Sequence, residues 1–284
     1  MNQQPETLKN GRPSGGGSFR LLEMLWWLPA CAASGVAAAY AASVAGSYHA
    51  PLIVFPLVTG AGLGAVLVTM MRVGQVGNRP TIVAGLLLAV AVTVPAQHYF
   101  SYLTVRRAML SQERDKIDRA KELFPDMIGT ALSSVPETFS EFMRLAAKEG
   151  RPLFGEVVAK GPAAWLTWWL DAALLFLASG GIIVLAMRQP YCDKCRSWYR
   201  TMRNGRIDGQ TALRLGELSG VEIPSQPISA RYRMLNCNGG CGPTEFELSW
   251  EDSQKEETAP AVWIDAECRD TLMRILDERL NSDK

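Results

Sequence analysis

Long apolar stretches alternate with polar segments along this chain, and four of the stretches have the length of membrane spans. A bilayer core about 30 Å thick requires roughly 20 apolar residues in a helix. The four stretches, each with at most one acidic side chain, are Leu21 to Ser47, Pro51 to Met71, Thr81 to Val105, and Pro162 to Met187. We therefore expect four transmembrane helices and a chain that resides in a lipid bilayer. A cleaved signal peptide is the alternative for the first stretch, although its apolar run exceeds the usual signal core of about 7–15 residues.

Small and aromatic residues within the stretches predict how these helices pack and where they end. Gly60, Gly62 and Gly64 form a GxGxG run, but a dinucleotide-binding loop needs a strand before it and a polar helix after it. Inside an apolar run, small residues instead permit close helix packing, so we expect the spans to contact each other, a partner protein or a second copy of the chain. Several aromatic residues near span ends are expected to lie at headgroup level: Trp26, Trp27, Tyr99, Tyr102, Trp165, Trp168 and Trp169.

The distribution of Lys and Arg predicts the orientation of the spans. Three basic segments fall on one side of a four-span arrangement: the residues before the first span, the turn with Arg72 and Arg79, and the residues after the fourth span. The positive-inside rule assigns that side to the cytoplasm, together with both termini. Arg106 and Arg107 disagree, but the segment that they begin is nearly balanced in charge.

Two ionisable residues, His98 and Asp171, are predicted to lie at membrane depth. Counted from the outer ends of spans three and four, both come out roughly 10–14 Å below the outer surface. Such groups usually face a partner or a cavity, so we expect a His–Asp pair with Gln97 nearby. The pair is either a structural hydrogen bond that fixes the helix register, which we favour, or a proton-sensitive or ligand-binding site.

The segment between spans three and four, residues 106–161, is too long to be a simple connection. Two helices are predicted within it, Ser111 to Phe124 and Ser134 to Lys148, the second beginning near Pro136. The second carries an apolar stripe at helical spacing: Phe139, Phe142, Met143 and Ala146. That stripe is expected to pack on the first of the two helices, with the membrane surface or a partner as alternatives.

Four of the six cysteines form two close pairs after the last span, Cys192 with Cys195 and Cys237 with Cys241. A CxxC pair brings two thiolates to one metal from a single turn, and the glycines between Cys237 and Cys241 supply the backbone freedom for a second turn. Four thiolates in tetrahedral geometry favour Zn²⁺. Because four ligands close the coordination shell, the predicted site is structural rather than catalytic.

The same four cysteines have three alternative uses besides a zinc site. An iron centre of the rubredoxin type has the same four ligands. A redox-active CxxC pair is expected in a βαβ setting, which the sequence does not predict here. Disulfides require an oxidising compartment, whereas the predicted topology places this domain in the cytoplasm. The three-residue spacer of the second pair departs slightly from the commonest zinc-ribbon spacing.

The rest of the last hundred residues reads as a small α+β domain. Predicted elements are a helix over Thr211 to Ser219, strands over Arg231 to Asn236, Glu245 to Trp250 and Ala261 to Asp265, and a helix over Ala266 to Leu280. So small a domain is expected to have little core, and the metal to supply much of its folding free energy.

A basic run follows the first cysteine pair, close to the last span: Arg196, Arg200, Arg203 and Arg206. Nucleic-acid binding is one use of such residues. Attraction to anionic lipid, worth about 1 kcal/mol per residue, is favoured because the rest of the tail is acidic. The net charge of +1 also gives no bulk electrostatic attraction for nucleic acid.

The predicted fold class is an α-helical integral membrane protein with four transmembrane helices and a small zinc-ribbon-like α+β domain. The predicted divisions are a flexible tail (1–20), three spans (21–105), an extracytoplasmic helical segment (106–161), a fourth span (162–187) and a cytoplasmic domain (188–284). Three segments carry a resemblance to other proteins: RVGQVGNRP before span three, WWLDAALL around Asp171, and YCDKCRSWY. The chain resembles uncharacterised bacterial membrane proteins that place a cysteine knuckle after their final span. The resemblance implies this fold and a bacterial inner (plasma) membrane, and it implies no activity.

No nucleophile, phosphate-binding or dinucleotide motif stands out, so an enzyme is not expected. The sequence favours a non-enzymatic adaptor or assembly protein with a cytoplasmic structural zinc module and a protein partner or second copy contacting its spans. The alternative is a small transporter or proton-sensitive membrane component that works through His98 and Asp171.

Overall fold

A computed structural model describes residues 17–18, 20–46, 53–123, 136–153, 157–223, 227–251 and 256–282 of the chain. The chain separates into two compact units. The helical unit comprises Arg20–Met71 and Pro80–Ala186. The cysteine unit comprises the described part of Met187–Lys284, with Arg72–Arg79 and residues 17–18. Most of the predicted flexible tail lies outside the described residues.

The helical unit contains the four predicted apolar helices and one short amphipathic helix. The helices are α1 (Leu21–Gly46), α2 (Val54–Val73), α3 (Arg79–Leu123), α4 (Phe139–Glu149) and α5 (Pro162–Ala186). Between α4 and α5, the two-residue strands β1 (Arg151–Pro152) and β2 (Val158–Ala159) form an antiparallel pair. By length and composition, α1, α2, α5 and the segment Arg79–Gln112 of α3 can each cross a membrane. The prediction of four such helices is confirmed.

The third apolar helix does not end where its apolar stretch ends. α3 runs without interruption for 45 residues to Leu123, so the helix predicted over Ser111 to Phe124 is present to Leu123, as a continuation of the third apolar helix. The charged stretch contains no Gly or Pro and is rich in Glu, Lys and Arg, which are good helix formers. Since nothing in the sequence breaks the helix at the expected membrane boundary, the polar half propagates from the apolar half.

The short helix α4 packs on α3 rather than facing outward. It begins at Phe139, later than predicted, because Thr138 is the N-cap and its hydroxyl accepts a hydrogen bond from the Glu141 amide (3.2 Å). Its Phe139 ring lies 5.8 Å from the Tyr99 ring and 6.1 Å from the Tyr102 ring. These ring contacts of the stripe are to the apolar half of α3, and not to the segment Ser111 to Phe124 on which we expected it to pack.

Close backbone contact joins the apolar helices. A Cβ on Gly60 would lie 2.5 Å from the carbonyl oxygen of Leu175, and one on Gly64 would lie 2.9 Å from the Cα of Ser179. Gly62 faces away, with nothing within 4 Å among the described residues. The GxGxG run is thus a seam between α2 and α5, as predicted.

Three of the expected interfacial aromatic residues are used inside the helical unit instead. Trp27 is fully buried and donates its indole N–H to the Thr81 carbonyl (3.0 Å). Tyr102 is buried against α4, and its hydroxyl donates to the Glu137 carbonyl (2.9 Å). Trp168 lines a cavity. These residues fix helix packing, whereas Trp26, Tyr99, Trp165 and Trp169 are exposed to the surroundings of the bundle.

The cysteine unit is an α+β domain built on a five-stranded antiparallel sheet. A short hairpin of β3 (Tyr191–Cys192) and β4 (Ser197–Trp198) comes first. The elements that follow are β5 (Arg200–Asp208), α6 (Gly209–Ser219), β6 (Ser229–Asn236), β7 (Thr244–Glu251), β8 (Glu256–Thr258), β9 (Val262–Ile264) and α7 (Ala266–Ser282). The sheet order is β5-β6-β7-β8, and β9 also pairs with β7.

The domain has a substantial core that does not include the cysteines of the two pairs. Alternate residues of β6 and β7 point to one face and are buried: Ala230, Tyr232, Met234, Phe246, Leu248 and Trp250. Leu215 of α6 and Leu272 of α7 cover that face and are fully buried. The expectation of a domain with little core is therefore wrong, because two strands beyond those predicted, β5 and β8, extend the sheet, and α6 and α7 cover one of its faces.

The longer of these two strands is β5, which contains part of the predicted basic run. Its sequence RTMRNGRID has few apolar residues, but its backbone pairs with β6 along its length. Arg203 faces α7 and bonds Asp277 (2.7 Å), and its side chain is only 16% exposed. Arg203 thus departs from the expected membrane-facing set, while Arg196, Arg200 and Arg206 are exposed.

We expect Asp208 to hold the junction of β5 and α6. It is the N-cap of α6, where its carboxylate accepts hydrogen bonds from the backbone and hydroxyl of Thr211 (2.8 and 2.9 Å) and pairs with Arg279 (2.6 Å). Burial acts to raise the pKa of Asp208, but these partners outweigh it and leave the pKa below its ordinary value. Asp208→Ala should lower the opening free energy of Gly209–Ser219 by about 1 kcal/mol in hydrogen exchange on the full chain.

Because the folded-state pKa is lowered, the contribution of the charge is present above the unfolded pKa of about 3.9 and is lost as the pH falls through the folded pKa. Asp208→Asn keeps the cap and removes only the charge, so its deficit should be smaller and should disappear in acid. Equal opening free energies for wild type and Asp208→Ala at neutral pH would contradict this assignment.

Candidate metal centre

Two turns bring the four predicted cysteines together. Cys192 ends β3, and Cys195 follows in the turn to β4, where Arg196 adopts the left-handed conformation (φ 51°). Cys237 directly follows β6, and Cys241 lies beyond a turn that Gly240 closes with φ 60°. Glycine suits that conformation because it has no Cβ. The second turn therefore uses its glycines as the sequence predicted.

The sulfur atoms have the spacing of a tetrahedral metal site. All four Sγ atoms lie within 4.8 Å of one another. Cys241 Sγ lies 3.6 Å from Cys192 Sγ and 3.7 Å from Cys237 Sγ. A tetrahedron with Zn–S bonds of about 2.3 Å has edges of roughly 3.8 Å. These distances are too long for disulfide bonds, and they match four thiolates around one ion.

Hydrogen bonds organise the sulfur cluster. The Gly242 amide donates to Cys237 Sγ (3.4 Å), and the Ser197 hydroxyl lies 3.0 Å from Cys195 Sγ. The same hydroxyl accepts from the Asn238 amide (3.1 Å), so Ser197 links the two turns. Such outer contacts hold ligands in place around a metal and stabilise their negative charge.

The four thiols differ in their electrostatic environment. Burial acts to raise the pKa of Cys195, but hydrogen bonds from Ser197 and the Gly239 backbone lower it to about 6. Burial raises the pKa of Cys192, and burial together with the neighbouring sulfurs raises the pKa of Cys241 to about 12. Four thiolates so close together repel one another, so a cation at their centre is the natural means of stabilising them.

Tyr199 forms the wall between the sulfur cluster and the sheet. It is almost fully buried, its hydroxyl donates to the Pro243 carbonyl (2.9 Å), and its ring meets Trp263 edge-on at 5.6 Å. Its amide donates to the Pro190 carbonyl (3.0 Å), which ties it to the start of the first hairpin. Burial and the four cysteines raise its pKa, so it stays a neutral donor.

The first hairpin also contacts two distant segments of the chain. The Tyr191 hydroxyl donates to the Gln75 carbonyl (2.8 Å), in the turn between α2 and α3. Asp193 accepts a hydrogen bond from the Ser18 amide (3.2 Å), and the Asn78 amide group donates to the Gly17 carbonyl (2.8 Å). The cysteine unit thus joins the three segments that the positive-inside argument placed on one side of the membrane.

The predicted intramembrane residues share a cavity in the helical unit. His98 and Asp171 both line a space of about 330 Å³, as do Gln97 and Ser101. Arg151 of β1 donates a short hydrogen bond to the Asp171 carboxylate, and the His98 ring packs on Trp168 with centroids 5.3 Å apart. A direct His98–Asp171 pair stays a prediction, because the contacts of the Asp171 carboxylate and the His98 ring given above are to Arg151 and Trp168.

Sequence reasoning missed Arg151 as the partner of Asp171, and Tyr191, Ser197 and Tyr199 as supports of the sulfur cluster. A signal for Arg151 existed, because an acid in an apolar helix calls for a cation and Arg151 precedes span four by few residues. No comparable signal marked Tyr199, whose contacts depend on the strand register.

The chain was compared with protein families, with curated proteins and with solved structures. No family model, curated protein or solved structure matches it. The resemblance to bacterial membrane proteins with a cysteine knuckle thus gains no support from these comparisons, and the functional argument rests on the chain's own geometry.

We expect the purified full chain to contain about one zinc ion, which Cys192→Ser/Cys237→Ser should lose in elemental analysis. Because the sheet core excludes the cysteine pairs, the variant should keep the hydrogen-exchange protection of β6 and β7 and lose that of the β3–β4 hairpin. Cys268→Ser, which changes a cysteine outside the cluster, is the matched control and should keep the metal. Metal-free wild type, or iron in place of zinc, would refute the zinc assignment.

Proposed function

We propose that this chain is a non-enzymatic, multi-span membrane protein whose cytoplasmic zinc domain serves as an adaptor or assembly surface. The observation that carries the proposal is the cluster of four sulfur atoms at tetrahedral spacing. A metal with four thiolate ligands has no open position for water or substrate, so its role is to hold the fold. The bacterial inner membrane is the expected location, with both termini in the cytoplasm.

The contacts of the first hairpin support a bracing role for the metal. Tyr191 bonds the turn between α2 and α3 through Gln75, and Asp193 bonds the residues that precede α1 through Ser18. Both residues flank or lie within the Cys192–Cys195 loop, so a metal that orders this loop also orders those contacts. A surface at the membrane that keeps a constant orientation suits a protein that assembles others.

This proposal predicts metal-dependent association and a defined topology. In membranes of the host cell, crosslinked partners should co-purify with the wild type and with Cys268→Ser, and be lost from Cys192→Ser/Cys237→Ser. A membrane-impermeant thiol reagent should fail to label any cysteine of the cytoplasmic domain in intact cells, and should label Cys241 after permeabilisation and chelation. Labelling of Cys241 in intact cells would reverse the orientation, and equal capture by the metal-free variant would remove the adaptor role.

The cavity of the helical unit supports a second candidate, a small transporter or proton-sensitive component. Residues of four helices and of β1 line the cavity, and the polar ones include His98, Asp171, Arg151 and Gln97. Polar groups inside a membrane protein often mark a path for ions or protons. An ion pair beside a cavity of about 330 Å³ is also the arrangement expected of a small polar binding site.

Reconstitution in liposomes separates the two candidates. If the cavity conducts protons, wild-type liposomes should dissipate an imposed pH gradient, and Asp171→Asn or His98→Asn should abolish this while Cys192→Ser/Cys237→Ser does not. If the adaptor proposal alone is correct, every variant should match protein-free liposomes. Flux that survives both Asp171→Asn and His98→Asn would exclude these residues as its route.

A further inference from the structure

A second cavity lies beside the sulfur cluster, entirely within the cysteine unit. It has a volume of about 380 Å³, and its lining includes Arg72, Gln75, Gln189, Trp198, Arg200 and Asn238. Among the described residues, none that line it is acidic. The cavity therefore combines two guanidinium groups with several amide groups, which is a lining suited to an anion.

The two arginines are differently held. Arg72 donates from Nη2 to the Gln189 side-chain oxygen (2.7 Å), which orients its guanidinium and leaves the other N–H groups available. Arg200, the first residue of β5, is exposed. Among the described residues, no acidic side chain forms an ion pair with it. One cation is thus fixed in place, and the other is accessible to a ligand.

A buried aromatic residue forms one wall of the cavity. Trp198 lines the cavity and is only 6% exposed, and its indole N–H has no hydrogen-bond partner among the described residues. Its ring is held edge-on against Tyr191 with centroids 5.3 Å apart. The indole N–H itself is closed off from solvent, so it is another part of the packed ring that borders the cavity.

Chain connectivity places the cavity at the ends of two apolar helices. Arg72 lies in the last turn of α2, and Gln189 follows closely after the end of α5. Helix ends of this kind lie at the level of lipid headgroups when the helices cross a bilayer. The anion most abundant at that level is the phosphate of a phospholipid.

We propose that this cavity binds the phosphate of an anionic phospholipid headgroup, with Arg72 and Arg200 as its cationic partners. The inference rests on the membrane location in the proposed function and is independent of the adaptor role. It also differs from general attraction to lipid, because that attraction would involve Arg196, Arg200 and Arg206 alike. The cavity selects Arg200 from this set.

The test titrates the detergent-solubilised full chain with short-chain phosphatidylglycerol and measures the bound fraction by native mass spectrometry. Arg200→Gln should weaken binding about tenfold, because a charge-assisted hydrogen bond is lost. Arg206→Gln is the matched control, another exposed arginine of the same strand, and should bind like the wild type. Arg72→Gln should also weaken binding, because Arg72 is the second cationic residue of the lining.

The outcomes separate the sources of phosphate and the two proposals. Phosphatidylcholine should bind more weakly, because its choline cation would approach two arginines, and millimolar inorganic phosphate should not compete. Equal loss in Arg200→Gln and Arg206→Gln, or binding of inorganic phosphate alone, would overturn the lipid site. Metal content and membrane insertion are measured on the same samples. A chain that inserts and holds zinc without lipid preference therefore refutes this inference alone.

Discussion

Four sulfur atoms that surround one point bring together two segments of the chain that both follow the last apolar helix. Cys192 and Cys195 come from the hairpin that follows α5, whereas Cys237 and Cys241 come from the turn between two central strands of the sheet. A single ion at their centre would attach the sheet to the segment that follows α5. Without that attachment, the two parts are joined mainly through Tyr199 and the pairing of β5 with β6.

The hydrophobic core and the sulfur cluster therefore stabilise different parts of the domain. The hydrophobic effect is sufficient to form the sheet, since α6 and α7 cover a face of aromatic and aliphatic side chains. A metal would act at a different place, where the first hairpin and the turn after β6 form a separate, smaller buried cluster with Tyr199 and Leu235. Tyr191, Ser197 and Asp193 then extend the ordered region to the turn before α3 and to the residues that precede α1.

Local patterns made much of this structure predictable. Apolar length identified the four long helices, cysteine spacing identified the sulfur cluster, and alternation identified β6, β7 and β9. Non-local interactions explain what was missed. β5 is polar and exists because β6 offers it a backbone edge, and Arg151 became the partner of Asp171 only because the β1–β2 pair turns it back over α5. The continuation of α3 was missed for another reason. A change from apolar to polar residues marks where a helix leaves the lipid, but it does not mark where the helix itself ends.

That continuous third helix has a mechanical consequence. Its 45 residues correspond to a length of about 68 Å, of which a bilayer core accounts for about 30 Å. Its helical turns continue across the expected membrane boundary, so a change in the tilt of the apolar half would also move the polar half. A tilt of about 10° within the lipid would displace the far end by roughly 6 Å, given a rise of about 1.5 Å per residue. Changes in bilayer thickness would thus be converted into movement well beyond the membrane.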